Sequence, residues 1–167
     1  ASRMDLSGIL ENPYRKTGEK ETFCPELAYD FKLEKTLDKR VLFNEFGEAL
    51  KKGGRKEISL RVTNTDRTFG TLFGSEITRN SKAGFPDDTF VVHCTGAGGQ
   101  SFGAFIPKGL TLTLCGDCND YMGKGLSGGK LAVYPPKGAG YRADENIVAG
   151  NVALYGATSG KLFVNGV

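Results

Sequence analysis

Short stretches with alternating apolar and polar residues recur through the last two thirds of the chain. Ile58-Ser-Leu-Arg-Val62 and Leu110-Thr-Leu-Thr-Leu114 alternate with the period of two that a half-buried β-strand requires. Phe90-Val-Val-His-Cys94 also has the length and composition of a strand. We predict two further short strands, Asn146–Ala149 and Asn151–Tyr155. The pattern favours parallel stacking, because no two-residue Asn-Gly hairpin loop joins these segments.

A single amphipathic helix is predicted ahead of these strands, over about residues 37–52. Its apolar positions recur at helical spacing on one face: Leu37, Val41, Leu42, Phe46, Ala49 and Leu50. Thr36 is a suitable N-cap, and Gly53 follows two lysines as a helix stop. Residues 1–35 lack periodicity, and we expect them to be an extended lead-in segment.

Four glycine pairs recur about every 30 residues, and each precedes a short run that we predict as a strand. The pairs are Gly70/Gly74, Gly99/Gly103, Gly125/Gly129 and Gly156/Gly160, and the runs are Ser75–Thr78, Ala104–Pro107, Lys130–Val133 and Lys161–Val164. Stacked strands joined by glycine turns predict a mainly β solenoid. The predicted organisation is a lead-in segment (1–35), an amphipathic helix and turn (36–57) and a parallel β-solenoid (58–167).

Composition narrows the classes of function. The 22 Lys+Arg and 19 Asp+Glu residues are nearly balanced and scattered, which argues against a nucleic-acid partner. No apolar run approaches the roughly 20 residues of a membrane-spanning helix, so we expect no membrane partner. Four cysteines without a secretory segment indicate free thiols in a reducing compartment, and hence a cytoplasmic location.

Few residues offer catalytic or ligand-binding chemistry. Cys115-Gly-Asp-Cys118 lacks the second ligand pair of a zinc site and the strand-to-helix setting of a redox motif. Asp117, Asn119 and Asp120 fail the spacing of calcium-binding repeats, and we expect such side chains to bond backbone amides between neighbouring turns. His93, the single histidine, sits in a predicted strand and is expected to pack there.

The glycine-rich segments of the chain are also predicted to be structural. Gly96-Ala-Gly-Gly-Gln100 and Gly123-Lys-Gly-Leu-Ser-Gly-Gly129 do not open a helix as a phosphate-binding loop does. Asp66 and Arg67 are placed for a local ion pair. We therefore predict no catalytic, cofactor-binding or metal-binding residue in the chain.

From residue 64 onward the chain resembles the C-terminal glycine-repeat (GXGXG) domain of the glutamate synthase large (α) subunit. The matching motifs are Asn64-Thr-Asp-Arg67, Gly99-Gln-Ser-Phe-Gly103, Asn119-Asp-Tyr-Met-Gly-Lys-Gly-Leu-Ser-Gly-Gly129, Gly150-Asn151 and Leu154-Tyr-Gly-Ala-Thr-Ser-Gly160. Residues 24–53 resemble the segment that leads into that domain, with a weaker match. A similar glycine-repeat module occurs in the C subunit of formylmethanofuran dehydrogenase, which is the alternative within this fold.

The resemblance implies a single-stranded, right-handed parallel β-helix, preceded by one short amphipathic helix. It also implies a non-catalytic scaffold in an enzyme that converts glutamine and 2-oxoglutarate to two glutamates. In that family the amidotransferase cysteine, the FMN site and the iron–sulfur cysteines lie in other domains, which would be the partners of this one. A small-anion-binding module is the alternative from another class, with the amides of a glycine turn holding the anion.

Two departures from the family pattern carry expectations. The family usually has Ala or Ser where Cys118 stands, which favours a small packed side chain at that position. The family pattern continues beyond Val167, so we expect a truncated β-helix, incomplete at its C-terminal end. The last coil would then need a cover. A homodimer docked through residues 155–167 is the simplest possibility.

Overall fold

The computed structural model describes residues 4–13 and 25–166. Contacts divide the chain into two units, Ala1–Phe31 and Lys32–Val167. In the first unit, helix α1 (Ser7–Leu10) follows Asp5, whose carboxylate accepts a hydrogen bond from the Ser7 amide at 2.9 Å. A 3₁₀ turn spans Pro25–Leu27. The described part of the predicted lead-in segment therefore contains short helical turns, and residues 1–3 and 14–24 lie outside the described residues.

The second unit begins with the predicted amphipathic helix. After a 3₁₀ turn at Leu33–Lys35, a π-helical turn at Asp38–Leu42 leads directly into α2 (Phe43–Lys52). Thr36 Oγ1 accepts a weak hydrogen bond from the Lys39 amide at 3.4 Å. Gly53 ends the helix with a positive φ of 78°. The helix predicted over residues 37–52 is thus confirmed, and its first turn is wider than an α-helix.

Five strands follow and form one sheet. They are β1 (Lys56–Val62), β2 (Phe90–Gly98), β3 (Leu110–Cys118), β4 (Ser127–Tyr134) and β5 (Ser159–Val164). Every neighbouring pair is parallel, and the strands lie in the sheet in chain order. Helix α3 (Thr71–Asn80) connects β1 to β2, and a 3₁₀ turn at Ala143–Glu145 lies between β4 and β5. The predicted parallel pairing is confirmed.

The predicted fold class is wrong. The structure has a five-stranded, all-parallel sheet with helices between strands, an α/β fold, whereas we predicted a mainly β solenoid, a single-stranded right-handed parallel β-helix. The glycine pairs misled the prediction, because only two of the four runs that follow them are strands. Ser75–Thr78 lies within α3. Ala104–Pro107 is a turn in which Phe105 has a φ of 59°.

The two short strands predicted near the C-terminus are also absent. Asn146–Ala149 contributes only an isolated bridge between Ala149 and Cys118. Asn151–Tyr155 is a turn in which Val152 and Leu154 have φ values of 58° and 60°. A β-branched residue such as Val152 rarely adopts this left-handed conformation. The composition of the segment therefore indicated a strand, whereas its tertiary context imposes a turn.

The core lies between the sheet, its two longer helices and the turns that follow β1, β2 and β3. Ile58, Val92, Leu112, Leu131 and Leu162 align in register across all five strands. Rings from α2, α3 and β2 cover one end of this row, with Phe46 5.3 Å from Phe73 and 5.5 Å from Phe90 between ring centroids. Each such buried side chain contributes about 1.5–3 kcal/mol of transfer free energy. Within the described residues, every helix is too short or too polar to span a bilayer.

Candidate functional site

The glycine motifs form a stack of turns beside the sheet. Thr68, Ser101, Tyr121 and Val152 hold equivalent places in four successive turns and all have φ between 54° and 61°. Amides join the turns: Thr68 donates to the Gln100 carbonyl at 2.8 Å, Ser101 to that of Asp120 at 2.9 Å, and Tyr121 to that of Asn151 at 3.0 Å. The backbone groups of these turns are therefore occupied by neighbouring turns and not directed at a ligand.

Close contact between neighbouring turns explains the glycines of the most specific motif. Gly125 has a φ of 62°, and a Cβ placed on it would lie 2.4 Å from the ring of Phe105 in the preceding turn. The same motif supplies Asp120, whose carboxylate accepts a hydrogen bond from the Asn151 amide at 2.8 Å. The predicted bond from an acidic side chain to a neighbouring turn is thus confirmed at Asp120. In the described part of the chain, no three His, Cys, Asp or Glu side chains group as metal ligands.

The two cysteines of the C-x-x-C sequence do not act together. They are three residues apart in β3, so their side chains lie on opposite faces of the sheet. Cys118 is buried, and burial, followed by the nearby carboxylates of Asp117 and Asp120, raises the pKa of its thiol to about 12. Burial also raises the pKa of the Cys94 thiol. All three described cysteines are free, and Cys115 is half-buried.

Alkylation should therefore distinguish the three thiols. We expect iodoacetamide to modify Cys115 in the native chain at least about tenfold faster than Cys94 or Cys118, because the thiolate is the reactive form and burial disfavours it. Peptide mass spectrometry after timed labelling would report each site separately. In urea the three rates should converge. Rapid native labelling of Cys118 would contradict the packed-thiol interpretation.

A buried carboxylate missed by sequence reasoning joins two helical segments. Asp38 is 2% exposed, and its two oxygens accept hydrogen bonds from the amides of Gly70 at 2.8 Å and Phe73 at 3.1 Å. It therefore caps the N-terminus of α3 from a distant part of the chain. Burial raises the pKa of the Asp38 carboxyl above its ordinary value, although the bound amides act to lower it. No local sequence signal marks this role, because the partners are more than thirty residues away.

Two polar contacts lie on the outer face of the sheet. Asp88 binds Lys130 at 2.8 Å and accepts a hydrogen bond from Thr111 at 2.7 Å, and Lys130, then Thr111, lowers the pKa of the Asp88 carboxyl. His93 shares a 3.0 Å hydrogen bond with Thr113 on the neighbouring strand. His93 thus lies on a strand face, as predicted. Both contacts join successive strands and thereby hold their register.

Strand β5 presents the largest exposed apolar side chains of the sheet. Phe163 is 57% exposed and Val164 is 39% exposed, whereas Leu162 of the same strand is half-buried against the core. Tyr155, in the turn before β5, is 61% exposed. Among the described residues, β5 pairs on one side only, with β4.

The turn stack and sheet lie within a recognised sequence family. A profile of the GXGXG motif family matches residues 38–167, which include α2, α3 and all five strands. The chain belongs to the GXGXG motif family. In this chain the GXGXG motif forms glycine turns, such as the one at Gly125.

Curated relatives of this GXGXG chain agree with the resemblance found in its motifs. It is 46% identical over 167 residues to the glutamate synthase [NADPH] large chain of Bacillus subtilis, covering 99% of this chain and 11% of that protein. It is 46% identical to the glutamate synthase [NADH] of Schizosaccharomyces pombe, covering 83% and 6%. It is 45% identical to ferredoxin-dependent glutamate synthase 2 of Synechocystis, covering 64% and 7%. The chain thus spans about a tenth or less of the relatives it matches, and the resemblance to glutamate synthases is confirmed.

Proposed function

We propose that this chain is a non-catalytic structural domain of a glutamate synthase-like oxidoreductase that converts glutamine and 2-oxoglutarate to two glutamates. The observation that carries the proposal is that the polar side chains of the sheet and its turns are engaged in the packing of this chain itself. Asp38, Asp88 and Asp120 each bind groups of neighbouring segments. In the described part of the chain, no buried side-chain nitrogen or oxygen lacks a partner.

The amidotransferase and flavin-binding domains of the same enzyme are the proposed partners of the exposed apolar surface at Tyr155 and Phe163. The relatives carry the matched segment within chains roughly ten times as long or longer, so neighbouring domains are present at high effective concentration. Phe163 and Tyr155 offer large apolar contact areas, and aromatic side chains often anchor such interfaces. A second copy docked through residues 155–167 would compete for the same surface.

The chemistry of the parent enzyme is assigned to those other domains. We place FMN and the iron–sulfur cluster there, and no catalytic, cofactor-binding or metal-binding residue in this chain. A cytoplasmic location, without a nucleic-acid or membrane partner, fits the free thiols and the balanced charge. The proposed role of this domain is to hold the catalytic domains in fixed positions relative to one another.

A substitution at the exposed edge tests this role in the full-length enzyme. We expect Phe163→Glu to lower glutamine-dependent glutamate formation at least about tenfold, because a charge would replace an apolar anchor at the interface. Glutamine hydrolysis and ammonia-dependent glutamate formation, measured separately, should change less than about threefold. The relative position of the domains should affect only the coupling of glutamine hydrolysis to glutamate formation.

Controls distinguish a positioning role of Phe163 from an effect of its substitution on catalysis or on folding. Lys137→Glu also introduces a negative charge at an exposed site, and it should leave all three rates unchanged. The isolated chain should hydrolyse no glutamine above a buffer blank and should purify without flavin absorbance. Unchanged coupling in Phe163→Glu, or glutaminase activity in the isolated chain, would overturn the proposal. A homodimer of the isolated chain that Phe163→Glu dissociates would identify a second copy as the occupant instead.

A further inference from the structure

A cavity of about 260 Å³ opens where the segment before α2 meets the turn before α3. One wall consists of Lys32 and residues 35–38, and the other of residues 65–69 together with Leu72. Leu37 and Leu72 are half-buried and give the cavity an apolar lining. The cavity is distinct from the β5 strand and from the turn contacts at Asp120, and it includes Asp38, the residue that caps α3.

Each wall of the cavity supplies a cation without a partner. The side chains of Lys35 and Arg67 form no hydrogen bond or ion pair with any residue that the structure describes. The predicted ion pair between Asp66 and Arg67 does not form. Asp66 accepts hydrogen bonds from the amide and the hydroxyl of Thr63 instead, at 2.8 and 2.9 Å.

Only Oδ2 of Asp66 is bonded in this way, whereas the other carboxylate of the cavity uses both of its oxygens. Both oxygens of Asp38 accept amide hydrogen bonds at the start of α3. The site therefore combines two free positive charges on different segments with an apolar lining and internally bonded carboxylates. This arrangement matches an anion with two charged ends and an apolar middle.

We propose that this cavity binds a small α,ω-dicarboxylate, with one carboxylate on Lys35, the other on Arg67, and the methylenes against Leu37 and Leu72. The cavity volume of about 260 Å³ has room for a dicarboxylate of about four to six carbons. The proposal is independent of the structural role at β5, because it concerns a different surface.

Calorimetric titration of the 167-residue chain tests the proposal with defined probes. Succinate, glutarate and adipate should bind saturably, with one length tightest, at fixed ionic strength. Butyrate, which has one carboxylate, and inorganic phosphate, which has no apolar middle, should bind at least about tenfold more weakly. Lys35→Gln and Arg67→Gln should each weaken the tightest ligand at least about tenfold, since each removes one charge-assisted contact. Lys137→Gln, an exposed lysine outside the cavity, should change nothing.

Every other outcome overturns the proposal. Absence of saturable binding by all three dicarboxylates would show that the cavity is not a site for them. Equal binding of butyrate or phosphate would refute recognition at two ends. Binding that survives both cavity variants would place the ligand elsewhere. Circular dichroism melting of each variant confirms that it is folded, and the readout is independent of glutamate formation.

Discussion

Replacing Gly116 with alanine should destabilise the chain by about 4 kcal/mol. Gly116 of β3 lies opposite Gly96 of β2, and a Cβ placed on it would be 1.7 Å from the Gly96 carbonyl oxygen. That oxygen belongs to a central strand, so it cannot move aside without disrupting the parallel ladder. Domain stabilities are about 5–15 kcal/mol, so this loss would remove a large part of the total.

Urea unfolding followed by circular dichroism measures the effect, and a second glycine supplies the control. Gly47 lies in α2, and a Cβ placed there has no atom within 4 Å. Gly47→Ala should therefore stabilise the chain by about 0.5–1 kcal/mol through helix propensity. The same substitution should thus have opposite signs at the two sites. A Gly116→Ala variant within about 1 kcal/mol of wild type would contradict the close approach of β2 and β3.

The elements that sequence predicted well are those with an undisturbed local period. The apolar face of α2 and the alternation in β1 and β3 each extend over a whole element, so local spacing and burial agree there. The parallel pairing also follows from the sequence, because the chain lacks hairpin turns between its strands.

Prediction failed where glycine served a different purpose from the one assumed. Gly70 precedes α3 with a φ of 92°, and Gly74 lies inside α3 against Pro107. We interpreted both as turn residues before a strand, so α3 was missed and the fold class was wrong. Glycine at position 74 reflects close packing, since a Cβ there would lie 3.0 Å from Pro107 Cδ. Sequence spacing alone does not distinguish a tight packing contact from a turn.

The candidate sites were least accessible from sequence because they join distant segments. Asp38 meets Gly70, and Asp88 meets Lys130, over separations of 32 and 42 residues. Lys35 and Arg67 line one cavity although they belong to different segments. Their residue types are ordinary for exposed positions, and only the fold brings them together. The local ion pair that we predicted between Asp66 and Arg67 does not form, and Asp66 bonds to Thr63 instead.

Removal of the Asp38 carboxylate is the second substitution with a large expected effect. Asp38→Ala should destabilise the chain by about 3 kcal/mol, because two buried amides at the start of α3 lose their acceptors. Asp38→Asn keeps one acceptor oxygen and should destabilise it by about half as much. Asp5→Ala is the matched control: that carboxylate also accepts an amide bond at a helix start, but it is exposed, so water replaces it and the destabilisation should be much smaller than for Asp38→Ala.

The pH dependence of the Asp38→Asn variant tests the raised pKa. A folded-state pKa above the unfolded value means that the folded chain holds the Asp38 proton more tightly. The stability that this proton contributes is complete below the unfolded pKa of about 3.9 and is lost as the pH rises through the folded-state pKa. Asparagine does not titrate, so its destabilisation relative to wild type should be larger near pH 4 than near pH 7. The Asp88 carboxyl, whose pKa shifts in the opposite direction, is common to both proteins and cancels in the difference. A destabilisation that grows with pH would show instead that the amides of Gly70 and Phe73 outweigh burial at this carboxyl.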